Sequence, residues 1–149
     1  YEESPQHVAG LVINKPTRTK LQKIFQVKGF KTINISDLVY SGGPVNQGNI
    51  IMMHTNEWKC KNTLPLANGI SITSDPQMLK KMHEQDQPQA WRVFSGLSIW
   101  SPGQLEGEIN SKCWMTAIPT PELSLETPTT QIYEKAIEIC SKQIIDKYI

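Results

Sequence analysis

The sequence predicts an α+β fold, an α/β sandwich in which helices flank a mixed, partly antiparallel sheet. Short β-branched runs alternate with stretches whose apolar residues recur at helical spacing. Several strand-like runs also follow one another with no helix between them, which requires antiparallel neighbours. With 149 residues, 38% of them hydrophobic and 19% charged, the chain 1–149 reads as a single domain. A chain of this size buries roughly two thirds of its unfolded surface, and its composition is not that of a disordered segment.

His7 to Ile13 is expected as the first strand, ended by Asn14-Lys15-Pro16. Thr17 or Thr19 then caps a helix whose inner stripe is Leu21, Ile24 and Phe25, and Gly29 stops it. Leu38-Val39-Tyr40 is a strand running into Gly42-Gly43-Pro44, where paired glycines permit positive φ. Asn49–His54 and Ile70–Thr73 are further strands. Ser74, with Gln77 as its capping-box partner, starts a helix carrying Met78, Leu79 and Met82. Ala90–Leu97 is a strand with Trp91 and Val93 on one face. Ser101-Pro102-Gly103-Gln104 repeats the capping pattern and opens a short helix. Cys113–Ile118 is expected as the last strand. Residues 119–130 form a proline-rich linker, and a helix with Ile132, Ala136 and Ile139 on its apolar face follows.

Net charge is +1 but uneven. Lys15, Arg18, Lys20, Lys23, Lys28 and Lys31 fall within residues 14–36 with no acid among them, and the remainder is slightly acidic. Such a segment is either a solvated face or a contact for phosphate or an acidic partner. The three cysteines, Cys60, Cys113 and Cys140, are too dispersed for a disulfide framework or a zinc site, so no metal is expected. A reducing, cytoplasmic setting is expected. No apolar run reaches the roughly 20 residues of a membrane span, so no membrane partner is expected.

Three segments occur in one order: Gly10-Leu11-Val12-Ile13-Asn14-Lys15-Pro16, Tyr40-Ser41-Gly42-Gly43-Pro44-Val45, and Trp100-Ser101-Pro102-Gly103-Gln104-Leu105-Glu106-Gly107-Glu108 with Trp114 behind it. Met53-His54 and Gly69–Asp75 are lesser echoes. Together they resemble the YqgE/AlgH family of bacterial proteins from about Glu2 to Trp114. The resemblance implies a compact α/β sandwich. The family is described as transcriptional regulators and has no assigned biochemical activity, so a regulatory or binding role is implied. This chain has Ile99-Trp100 where Gly-Trp is usual, and its helical region after Pro128 departs from the family ending. The resemblance also implies a segment before Tyr1, ending in a strand, that this chain lacks. An open sheet edge invites pairing, so a homodimer is expected.

No P-loop, zinc-protease or Cys-x-x-Cys motif is present, and no cofactor is expected. Gly42-Gly43-Pro44 lacks the helix and third glycine of a dinucleotide fingerprint. The glycine-rich and polar signatures sit in loops, where function collects. The expected site is therefore a groove lined by Asn14, Lys15, Pro16, Gly42, Gly43, Pro44, His54, Trp100, Gln104 and Glu106, taking a small molecule or a protein. The same residues also have structural readings: Asn14 and Gln104 as backbone-bonding amides, Trp100 as core, Glu106 as a dipole partner, His54 as a strand-end residue bonded to backbone. Three functions compete. The first is a non-enzymatic regulatory or binding module. The second is an enzyme using His54 or Glu106 as acid and base. The third is nucleic-acid association through Lys15, Arg18, Lys20 and Lys23.

Overall fold

A computed structural model of the chain describes residues 2–3, 7–31 and 35–148. Residues 32–34 of the basic segment lie outside that set. Strand β1 (Glu2–Glu3), β2 (Val8–Gly10), β3 (Pro16–Lys20), β4 (Leu38–Ser41), β5 (Val45–Thr55), β6 (Thr63–Pro65), β7 (Ile70–Thr73) and β8 (Trp91–Trp100) form one open sheet. Its main path runs β1-β2-β8-β5-β7-β6, with β4 also on β8 and β3 on β4. β4 is parallel to β8, and the other pairings are antiparallel. The architecture is the mixed α+β arrangement expected from the alternation of periods.

Strand alternation divides the core between two faces. Met52 pairs with Val93, and both are buried with Leu21, Phe25, Val39, Met78, Leu79 and Met82. Helices α1 (Leu21–Val27) and α2 (Gln77–His83) cover this face. Phe25 is fully buried; truncating such a side chain to alanine costs about 3–5 kcal/mol. On the other face Met53, Ile70 and Phe94 pack with Leu125. Helix α4 (Thr129–Tyr148) buries Ile132 and Cys140.

Several local expectations are corrected. Pro16–Lys20 is a strand, not a capped helix entry: no side chain caps α1, and the Thr17 hydroxyl donates to Val39 O at 2.6 Å. Ser74 does not cap α2: the N-cap is Pro76, with no side-chain cap bond, and Asp75 turns the chain into the helix, its Oδ1 accepting the Gln77 N–H at 2.8 Å. Ser101–Gln104 is a type II turn. Gly103 has φ 74°, and Gln104 N–H donates to Ser101 O at 3.0 Å; this is the geometry that Pro-Gly at the two central positions favours. Helix α3 (Gln104–Asn110) begins only afterwards. Cys113–Ile118 joins no strand. The proline-rich stretch is no free linker either. It contains a π-helical turn, Glu122–Glu126, whose Leu123 and Leu125 are buried. This strap is held by Arg92, whose guanidinium donates to Ser124 O and Thr127 O and lies over the Tyr40 ring.

Candidate functional site

β4 and β5 flank β8 on opposite sides, one parallel and one antiparallel. Only Gly42-Gly43-Pro44 joins them, so this tripeptide must cross β8. It does so with no room for side chains. A Cβ on Gly42 would collide with Gly96 O, one on Gly43 with the Leu97–Ser98 peptide, and one on Gly96 would stand 2.5 Å from Gly43 O. Gly96 also has φ 76°, which an L residue adopts at a cost of roughly 1–2 kcal/mol. The double glycine is thus explained by the crossing itself.

The crossing is tied to the first signature segment through the main chain. Ser41 N–H donates to Lys15 O and Val12 N–H to Gly42 O, both at 2.8 Å. Asn14, Lys15, Pro16 and Pro44 are left exposed, while Gly42 and Gly43 are buried. The third segment starts on β8 beyond the crossing, where Ser98–Trp100 pairs with β2. The Trp100 ring lies against Gly10, where a Cβ would meet it at 3.1 Å. Backbone geometry therefore gathers Asn14–Pro16, Gly42–Pro44 and the start of the third segment at one end of the sheet.

Side chains of the third segment bond among themselves. Gln104 Oε1 accepts the Ser101 N–H at 3.0 Å, and Gln104 Nε2 donates to Glu108 Oε1 at 3.1 Å. Trp114 Nε1 donates to Glu108 Oε2 at 2.6 Å. The Trp100 and Trp114 rings meet edge to face with centroids 6.2 Å apart. The Trp114 indole, followed by Gln104, holds the Glu108 carboxyl below the usual carboxylate range. Glu106 is exposed in the first turn of α3. Glu108 was not among the residues expected at the site. Its signal was the i, i+4 spacing from Gln104.

His54 is not part of this cluster. It pairs with Trp91 at the opposite end of β8 from Trp100, ~30 Å away by strand rise. It is 0% exposed. Nδ1 lies 2.8 Å from Thr55 O and Nε2 2.9 Å from Thr73 Oγ1. Because a carbonyl only accepts, Nδ1 carries the proton and Nε2 accepts from the Thr73 hydroxyl. Thr73 Oγ1 in turn lies 2.7 Å from Thr63 Oγ1, which accepts the Cys60 N–H. Burial lowers the His54 pKa, and the Thr55 carbonyl and Glu57 only partly oppose it. A neutral imidazole with both nitrogens occupied and no exposed surface has no access to substrate.

Arg18 and Lys20 are exposed on β3, and Lys23 is exposed on α1. No group of three metal-ligating side chains is found among the described residues, and no helix there is long and apolar enough to cross a membrane. A groove of about 1330 Å3 borders the crossing, with Gly10, Leu11, Ile13 and Leu97 in its lining. None of the residues expected to share a site lines it.

A family model described as AlgH-like matches residues 1–144. A UPF0301 protein of Proteus mirabilis is 30% identical over 145 residues, which is 93% of this chain and 78% of the relative. One from Polaromonas is 31% identical over 151 residues, 95% and 77% of the two chains. Among solved structures, the solution structure of the AlgH protein from Pseudomonas aeruginosa shares the fold, with a TM-score of 0.77 at 24% identity over 93% of this chain and 75% of that one. This chain belongs to the AlgH-like family.

Proposed function

We propose that this protein is a non-enzymatic binding module whose contact surface is the Trp100–Glu108 segment with Trp114. One observation carries the reading: Trp114 is 49% exposed, yet its indole is fixed by Glu108 and braced by Trp100. Exposed Ile99, Ile109 and Met115 surround it in sequence. Aromatic side chains with a polar handle, held rigid at a surface, are the anchors of recognition sites. The test is a fragment and short-peptide screen on isotope-labelled protein. Shifts gathering on the Trp100 and Trp114 indole N–H signals and on Gly103–Gly107 support the reading, and hits scattered over the remaining surface remove it.

A second reading, nucleic-acid association in a regulatory role, is favoured by the exposure of Arg18 and Lys20 along edge strand β3, with exposed Lys23 following on α1. It predicts duplex binding that weakens steeply with salt. A flat salt response, or no binding at low salt, disposes of it.

A further inference from the structure

β8 pairs one side of β5 over Ile50–His54 and again at Val45, with a bulge between, but β7 meets the other side only over Met52–Thr55. Among the described residues no strand lies beside Gly48–Ile51 on that second side. β7 ends at Thr73, opposite Met52, and the chain turns into α2 through Asp75. The lane that β7 vacates opens into the groove of about 1330 Å3, whose lining includes Gly48 to Ile51 and Ser74 and continues over Leu64–Ala67 to Pro119 and Ser124.

The walls of this lane suit a strand buried on both faces. Ile51 and Leu11 line it on the strap side of the sheet, and Ile50, Met78 and Leu79 on the helix side. The unpaired edge of β5 offers main-chain donors and acceptors between them, the feature that strand addition uses. Charge distinguishes one end. Among the described residues, Lys28 is the sole charged side chain lining the groove. An adjoining cleft of about 310 Å3 shares Lys28, Gly48 and Ile50 and adds Lys23, with no acid.

We propose that this groove is a strand-acceptor slot, which takes one extended apolar peptide segment as a new neighbour of β5 at Gly48–Ile51, with an acidic residue of that segment at the Lys23–Lys28 end. Main-chain bonds to β5 supply affinity, the two apolar walls select alternate aliphatic side chains, and the lysines set direction. Neither Trp100 nor Trp114 lines the groove.

The probe is an acetylated, amidated peptide, Lys-Lys-Val-Leu-Val-Ile-Glu, compared with the same peptide N-methylated at alternate residues. Under saturation with the first, amide exchange at Gly48–Ile51 is expected to slow by about tenfold or more, as for newly paired strand amides. The N-methylated peptide, which keeps the side chains but loses the donors, is expected to give no such protection. Lys28→Glu, an exposed position, is expected to weaken the first peptide several-fold, and replacing the peptide's glutamate by lysine is expected to restore it. Protection elsewhere with none at Gly48–Ile51, or equal binding of the N-methylated peptide, overturns the proposal. Protection at Gly48–Ile51 that grows with protein concentration and needs no peptide also overturns it, because the slot then belongs to a second copy of this chain.

Discussion

Gly96 faces Gly43 across the strand crossing so closely that a Cβ on Gly96 would lie 2.5 Å from the Gly43 carbonyl oxygen. Both partners are backbone, and the crossing joins β4 to β5 around β8, so neither side can yield without breaking the sheet. Gly96→Ala is expected to destabilise the fold by about 3 kcal/mol or more, combining left-handed strain with overlap. Gly107→Ala is the counterpart. Gly107 sits in α3 with nothing within 4 Å of its Cβ position, and the change is expected to stabilise by ~0.5–1 kcal/mol. Urea midpoints of the two variants should move in opposite directions. A Gly96→Ala midpoint equal to that of the unsubstituted chain would show that the crossing is looser than its geometry.

The buried His54 makes stability depend on pH. Its folded pKa lies below the ordinary value of 6.5 because burial disfavours the cation. The unfolded chain therefore binds the proton more readily, and stability, complete above about pH 6.5, falls as pH drops below it toward the folded pKa. Geometry gives the same sign. A proton on Nε2 turns Thr73 from donor to acceptor and forces its hydroxyl toward Thr63, whose own hydrogen then loses its acceptor. Urea titrations between pH 7 and 5 are expected to show the decline, and His54→Gln should flatten it. Thr73→Val, which leaves Nε2 without a donor, is expected to cost about 1–3 kcal/mol at neutral pH.

Whatever depends on nearby residues was legible in the chain. The spacing of Leu21, Ile24 and Phe25 gave the buried stripe of α1, of which Leu21 and Phe25 are fully covered. Met78, Leu79 and Met82 behave likewise. The Asn14 turn and the double glycine were expected beside the Trp100–Glu108 helix and His54; the backbone brings the two turns together with only the strand that leads into Trp100. The crossing was not legible, because it depends on β8 entering between β4 and β5 from fifty residues downstream in the chain, as pairing of Tyr40 with Phe94 and of Ile51 with the same residue records. Pro16–Lys20 hides as a strand because its alternation is among polar residues at an edge. Cys113–Ile118 has β-forming residues but no neighbour to pair with, and propensity without a partner makes no strand. His54 was grouped with the loops on sequence proximity to Gly42. An antiparallel strand carries it to the other end of the sheet.

Arg92 fastens the C-terminal strap to the sheet. Its guanidinium is buried, and its ties to Ser124 O in the π-helical turn and Thr127 O just after it are charge-assisted bonds that satisfy both carbonyls. Arg92→Met keeps the aliphatic stem and strands both carbonyls. The net cost is expected to be about 2 kcal/mol, the lost bonds being partly offset by relief of a buried charge. The effect should be local first. Amide exchange at Leu123–Thr127 is expected to rise well before that of β5 or β8, and limited proteolysis should cut near Pro119–Pro128. Uniform acceleration across the sheet would mean that the strap is part of the core's cooperative unit rather than a fastened cover.

The Glu108–Trp114 bond can be read optically. The indole hydrogen bond, followed by that of Gln104, places the Glu108 titration below its ordinary value of 4.5. Protonation then turns an acceptor oxygen toward donor character and weakens the hold on the Trp114 indole. A change in tryptophan emission is therefore expected below pH 4.5, with far-UV circular dichroism unchanged over the same step. Trp58 is buried and bonded to Asp86, so emission from that residue is a competing source that must be separated. Glu108→Ala should abolish the transition, whereas Asp86→Asn should leave it in place. If the transition survives Glu108→Ala, the indole is not oriented by this carboxylate, and the proposed contact surface loses the fixed geometry that recommends it.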